Sequence, residues 1–251
     1  MKAFKTVPKD MYSAYNDVME RIENSRRGDD KDLAMRILSW LFRAQRTLHM
    51  DELLEALAVG PDDDDSDEDD QDLIHENMLQ PFQIIECCKS LVLYEESSGL
   101  VRFTHYTVQE FIARHIQQNL PPAIDLAKTC LTYLAFDEFD YVCYDENSME
   151  KQIQKYKFSH YAAQFWGFHT RGQAEESPNV QIAIFRLFAS QNKRNSILQM
   201  ETYAKWGDIY FARDQTLLHV IATNGLATIC KLALESRSTN GIDGYLVTIS
   251  S

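Results

Sequence analysis

A mainly α-helical protein with one small β-hairpin is the fold class this sequence predicts, and three observations predict it. Apolar residues recur at helical spacing through most of the chain. The period switches to alternation in LVLYEESSGLVRFTH, residues 91–105. Four helical segments precede the switch and several follow it. The 251 residues are 45% hydrophobic and 11% aromatic, enough to bury a core in one or two domains.

The elements follow in chain order. Residues 10–25 carry Met11, Tyr15, Val18, Met19 and Ile22 on one helical face, and RRGDDK breaks the pattern. A second helix at 32–45 offers Leu33, Ile37, Leu38, Trp40 and Leu41 to a core, and a third at 47–59 offers Leu53, Leu54 and Leu57. DDDDSDEDDQD, residues 62–72, then places nine acids together without a base; without them the net charge of −13 falls to −4. The acidity is local, and the reading is a solvated, disordered loop at 60–72. A binding tail or a calcium site is the sharper alternative, but a calcium loop turns on a glycine that this run lacks. Residues 73–90 read as helical, with Pro81 at a helix start or kink. In the hairpin, Gly99 suits the positive φ that its turn needs. Three helices followed by a hairpin is the order of a winged-helix unit, here residues 31–119, with residues 1–30 as a preceding helix. Further helices are predicted at 107–119, 123–135, about 150–166 and 178–190, with a final pair after residue 214. They divide into a helical spacer, 120–210, and a C-terminal segment, 211–251.

Most function classes are opposed by what the residues lack. Cys87, Cys88, Cys130, Cys143 and Cys230 form no C-x-x-C spacing and read as reduced thiols of a cytoplasmic protein. The N-terminus has no apolar core of a signal peptide, and no apolar run reaches membrane-span length. The seven histidines are scattered, without metal-ligand spacing. No G-x-S-x-G occurs. Gly167 and Gly172 have P-loop spacing, yet Gln173 and Ala174 stand where lysine and a hydroxyl are required. MDELLEALA, residues 50–58, has three acids and no base, which opposes nucleic acid as partner. Tyr161, Phe165 and Phe168 share a helical face and read as core rather than ligand cage. The expectation is a non-enzyme with no cofactor, no metal and no membrane contact.

Two motifs remain. In VRFTHYTVQEFI, residues 101–112, His105 and Glu110 first suggest a proton relay or half a metal site. Thr107-Val108-Gln109-Glu110 fits a capping box, in which Thr107 accepts the Glu110 N–H and Glu110 reaches back to Thr107, with Tyr106 and Phe111 as a hydrophobic staple. That assigns Glu110 to structure. His105 then reads as a surface histidine hydrogen-bonded to backbone. In QTLLHVIATNGLATICKLALE, residues 215–235, Thr216, Leu218, His219, Ala222 and Gly225 match the ankyrin pattern T-P-L-H-x-A-A-x-x-G, with Leu217 and Ile221 departing from it. One such repeat cannot bury its own faces. STNGIDGYLVTISS keeps Asn240, Asp243 and Gly244 of a next repeat and then loses the pattern.

Taken in order, PKDMYSAYNDVMERI, DKDLAMRILSWLFRAQRTLHMDELLEALAV, SGLVRFTHYTVQEFI, CLTYLAF and YAAQFWGFHTR resemble the region after the nucleotide-binding module of fungal NACHT–ankyrin proteins, which are STAND-type signalling NTPases similar to NOD-like receptors. The first part also resembles the winged helix named after GPI inositol-deacylase, a name that implies no deacylase here. The resemblance covers nearly all of residues 7–235. It implies a winged helix that folds over a nucleotide-binding domain and holds its ADP-bound state, and ankyrin repeats that bind a protein ligand. Phe103, His105, Thr107, Gln109 and Glu110 match the F-x-H-x-T-x-Q-E context, so the resemblance assigns His105 a nucleotide-sensing contact. The Walker segments of the family are absent from this chain. By the resemblance it is then a piece of a larger receptor, a truncated gene product or an incomplete gene model, unable to bind or hydrolyse ATP alone.

Overall fold

Alternation in residues 91–105 becomes a hairpin of β2 (Val92–Glu95) and β3 (Leu100–Phe103), with Val92 opposite Phe103 and Glu95 opposite Leu100. The computed structural model describes residues 9–25, 28–59 and 77–239; the acidic run 62–72 and the tail beyond Thr239 lie outside them. Gly99 closes the turn at φ +69°, and a Cβ there would meet the His49 ring at 3.2 Å. A third strand, β1 (Leu48–His49), pairs with β3 and makes it the central strand of a β1-β3-β2 antiparallel sheet. The third helix was expected from residue 47, but Leu48 and His49 are taken by this sheet. The helix starts at Met50, whose N–H donates to the Gly99 carbonyl at 2.8 Å.

The described residues form two compact units, one of residues 1–57 and 78–122 and the other of 58–77 and 123–251. The first contains α1 (Lys9–Glu23), α2 (Gly28–Arg43), most of α3 (Met50–Ala58), α4 (Pro81–Cys87), the sheet and α5 (Tyr106–Phe111). Helix α1, expected to stand apart with residues 1–30, is tied into this unit. Its Tyr15 hydroxyl lies 2.6 Å from Thr107 Oγ1 in α5. Tyr12 and Tyr15 also stack around Phe111, with ring centroids at 6.0 and 5.4 Å. Ile22, Ile37, Leu38, Leu48, Leu53, Ile84, Val101 and Phe111 make the core. Pro81 takes the first position of α4, where its missing N–H costs nothing. Two left-handed residues, Lys89 and Ser90, lead from α4 to β2, and Thr104 closes the strand pair with Oγ1 on the Ser90 carbonyl at 2.6 Å. The helix expected at 107–119 is α only to Phe111; it widens to a π-helical turn at Ile112–Ile116 and tightens to a 3₁₀ turn at Gln117–Asn119.

The second unit is helical: α6 (Ala123–Ala135), α7 (Glu146–Lys155), α8 (Ser159–Thr170), α9 (Pro178–Leu187), α10 (Gln191–Trp206), α11 (Leu217–Thr223) and α12 (Ala227–Thr239). Its centre is aromatic, with Tyr133 edge-on to Phe158 at 5.2 Å and Phe136 stacked on Phe139. Helix α6 packs against α8 and α9, and α8 against α10. The single helix expected near 150–166 is two. Asp145 caps α7 through the Ser148 N–H, and the chain breaks at Tyr156, held at φ −119° and ψ 82° with its ring buried. Phe168 is 46% exposed, so the expected buried face is carried by Tyr161, Trp166 and His169 instead. Helix α10 was not expected. Ser190 caps it and Gly207 ends it in the left-handed region, but its buried face includes Lys193, Ser196 and Gln199, which an apolar pattern does not register. Among the described residues no helix is long and apolar enough to cross a membrane.

Lys193 is 7% exposed and donates Nζ to the carbonyls of Ala135 and Phe136, at 2.9 and 2.6 Å, and to Asp140 at 2.6 Å. It satisfies the open C-terminal end of α6. Lys193→Met keeps the aliphatic stem and strands these acceptors. Urea denaturation is expected to show a loss of about 2–3 kcal/mol, whereas the exposed Lys205→Met changes stability by less than about 0.5 kcal/mol.

Candidate functional site

His105 sits where β3 hands over to α5. Its backbone is extended, at φ −148° and ψ 149°, while its carbonyl already accepts the Val108 N–H at 3.0 Å. That makes His105 itself the N-cap. Its Nδ1 accepts the Thr107 N–H at 3.2 Å and lies 2.8 Å from Thr107 Oγ1, which is 2.6 Å from the Tyr15 hydroxyl. With Nδ1 accepting, the ring proton belongs on Nε2. The capping box expected at Thr107 and Glu110 is not formed. The helix starts two residues earlier than that box requires, Thr107 lies within it, and the Thr107 hydroxyl is engaged by Tyr15 and His105. Glu110 Oε2 is buried without a hydrogen-bond partner. Nor does Tyr106 act as a staple: it is 61% exposed, with its ring 4.4 Å from that of His105.

Beside this junction lies a cleft of about 280 Å³ whose lining includes Arg46, Arg102, Tyr106 and Gln109. Arg46 grips Glu52 through both nitrogens at 2.5 and 2.7 Å, and Glu52 also accepts the His49 N–H at 2.8 Å. Its charge is therefore spent inside the fold. Arg102 is exposed on the outward face of β3, so the rim offers a cation, an amide and the Tyr106 ring, which lies beside that of His105. Such a rim can hold a small anionic or planar group. Arg102 and Tyr15 were missed in the sequence. Arg102 is marked only by its outward place in the alternation, and Tyr15 meets Thr107 from 92 residues away.

The second motif is built locally. Thr216 caps α11, accepting the His219 N–H, while His219 Nδ1 accepts the Thr216 N–H at 3.2 Å and lies 2.8 Å from its hydroxyl. Gly225 ends α11 at φ +69°, and α12 turns back with Val220, Ile221, Leu226 and Ile229 buried. Leu218 is half-buried and Ala222 exposed. The hairpin is anchored to α8 and its following turn. Arg171 Nε donates to the Asn224 carbonyl at 2.8 Å, and Glu175 accepts the Thr228 N–H at 3.0 Å and the Gly172 N–H at 3.1 Å. A Cβ on Gly167 would lie 2.1 Å from Asn224 Oδ1, so this glycine serves close helix approach.

Burial pushes the Cys130 and Cys143 thiols up. Cys87 and Cys88 have sulfurs 3.9 Å apart, and their mutual hydrogen bond lowers Cys87 and raises Cys88, so Cys88 keeps its proton. Among the described residues no group of three or more His, Cys, Asp or Glu side chains could hold a metal ion.

Within the first unit, α2, α3 and α4, the three-stranded sheet and its wing define a winged-helix domain. Residues 19–124 match the family model described as "GPI inositol-deacylase, winged helix domain". Neither a curated protein nor a solved structure matches the chain significantly.

If His105 is the cap, His105→Ala loses about 1 kcal/mol of stability while His105→Asn retains it, since asparagine caps well. Glu110→Met, by contrast, is neutral or stabilising by up to about 1 kcal/mol, because it removes an unpartnered buried oxygen. Thermal or urea unfolding of the three variants reads this directly; a loss on Glu110→Met would restore the capping box.

Proposed function

We propose that this chain is a non-enzymatic regulatory and protein-interaction module of a STAND-type signalling NTPase. In this reading the winged helix docks on a nucleotide-binding domain, and α11 and α12 begin an ankyrin array that recognises a protein partner. The observation that carries it is the state of α3. A winged helix that reads DNA presents an exposed, basic helix to the major groove. Here every residue of α3 except Asp51 is buried, and Glu52 is held by Arg46 and the His49 N–H. Helix α4, which leads directly into the wing, exposes Phe82 and Glu86 and carries no lysine or arginine, so neither helix offers DNA a basic face. His105, proposed as the nucleotide-sensing residue, has Nδ1 engaged and Nε2 without a hydrogen-bond partner among the described residues, which suits an N–H contact to a phosphate oxygen. The Thr216–His219 box and the left-handed Gly225 support the ankyrin reading of the hairpin.

The alternative is a component of an NTPase whose ATP site lies in other sequence or on another chain. Calorimetric titration of the protein with ADP and with ATP, each with Mg²⁺, separates the readings. The non-enzymatic reading expects no micromolar binding of either nucleotide, and micromolar binding would overturn it. Salt-sensitive binding to duplex DNA would revive the DNA-reading winged helix.

A further inference from the structure

The four most exposed large apolar side chains among the described residues fall in two short segments of the helical unit. Tyr141 and Tyr144 are 74% and 95% exposed, and Trp206 and Tyr210 are 79% and 81%. One buried side chain fastens these segments together. Gln199 in α10, 2% exposed, accepts the Cys143 N–H at 2.7 Å and donates to the carbonyls of Cys143 and Ile209 at 3.0 and 3.2 Å. The aromatics are therefore displayed on loops fixed by a three-bond clamp rather than left to wander. Exposed tyrosine and tryptophan supply large, stiff contact area, and they are the residues that dominate binding surfaces.

Charge decides what fits. Tyr210 shares a groove of about 460 Å³ with Asp145, Glu146 and Glu150, and no cation lines it. Asp145 has a structural task as the cap of α7. Glu146 suits the N-terminus of α7, but Glu150 has no such task, and the two are exposed like charges one helical turn apart, an arrangement that costs helix stability. Their field reaches the neighbouring Tyr203, whose phenol is pushed up by burial and by both carboxylates. The nearby cations are occupied or outside the groove; Lys205 pairs with Glu201, and Lys151 offsets Asp145. Aromatic faces beside unneutralised carboxylates are what a lysine or arginine side chain needs, since the ring face and the carboxylate both attract the cation.

We infer that this groove binds a lysine- or arginine-bearing segment of a protein partner, with the Tyr210 ring against the cation and Glu146 and Glu150 meeting its charge. The surface lies on the helical unit. The test uses the full chain with Asp62–Asp65, Asp67, Glu68, Asp69, Asp70 and Asp72 changed to Asn and Gln, so that the acidic run does not capture the probe. The probe is a fluorescein-labelled ten-residue peptide of alternating lysine and glycine, read by anisotropy, with its acetyl-lysine counterpart as control. Binding is expected to be lost on acetylation and to weaken about tenfold in Glu146→Gln/Glu150→Gln. Tyr210→Leu is expected to weaken it about threefold and Tyr210→Phe to leave it unchanged, because phenylalanine keeps the ring face. Unchanged circular dichroism shows each variant folded. No binding by the charge-neutralised chain, or equal affinity across the groove variants, overturns the proposal.

Discussion

Strand β3 carries the winged-helix unit. Paired on both edges, it holds Val101 opposite Leu48 on one side and Tyr94 on the other, with its Val101 and Phe103 side chains in the core. A strand of four residues has little stability of its own, and the two flanking pairings register everything around it. They fix where β1 ends and α3 begins, because Met50 hydrogen-bonds to Gly99 across the wing turn. They also fix where β3 ends, and so place His105 at the head of α5. The exposed wing end of the molecule is thus the outcome of a buried pairing four residues away.

The helical unit depends on a different device. Its helices end in carbonyls and N–H groups that need partners, and three buried polar side chains provide them. Lys193 takes the end of α6, Glu175 the start of α12, and Gln199 the loops around Cys143 and Ile209. Each connects segments tens of residues apart, so the aromatic core is positioned by a few polar contacts as much as by its own packing. These side chains are held by the fold itself.

Local signals were legible and long-range ones were not. The hairpin with Gly99, the proline start of α4, the Thr216–His219 cap and the Gly225 stop all rest on residues within a few positions of one another. The cap of α5 was misread because two nearby residues can both cap a helix start. The choice between Thr107 and His105 was made by Tyr15, a side chain from α1 that takes the Thr107 hydroxyl. The break at Tyr156 carries no glycine or proline; burial of its ring beside Phe139 outweighs helix continuity. Helix α10 escaped notice because its inner face is partly polar, and a polar residue reads as buried only once its partners are known.

By itself the sequence determined the class: a mainly α chain, a winged-helix order of elements, a hairpin at one defined place and a capped helix pair near the end. These follow from periodicity and turn chemistry, which act over a few residues. Tertiary structure alone decided that α3 is buried, that His105 rather than Thr107 caps α5, and that Tyr210 shares a groove with Glu146 and Glu150. Those outcomes depend on which distant groups satisfy one another's hydrogen bonds and cover one another's apolar area, and no local pattern encodes that pairing.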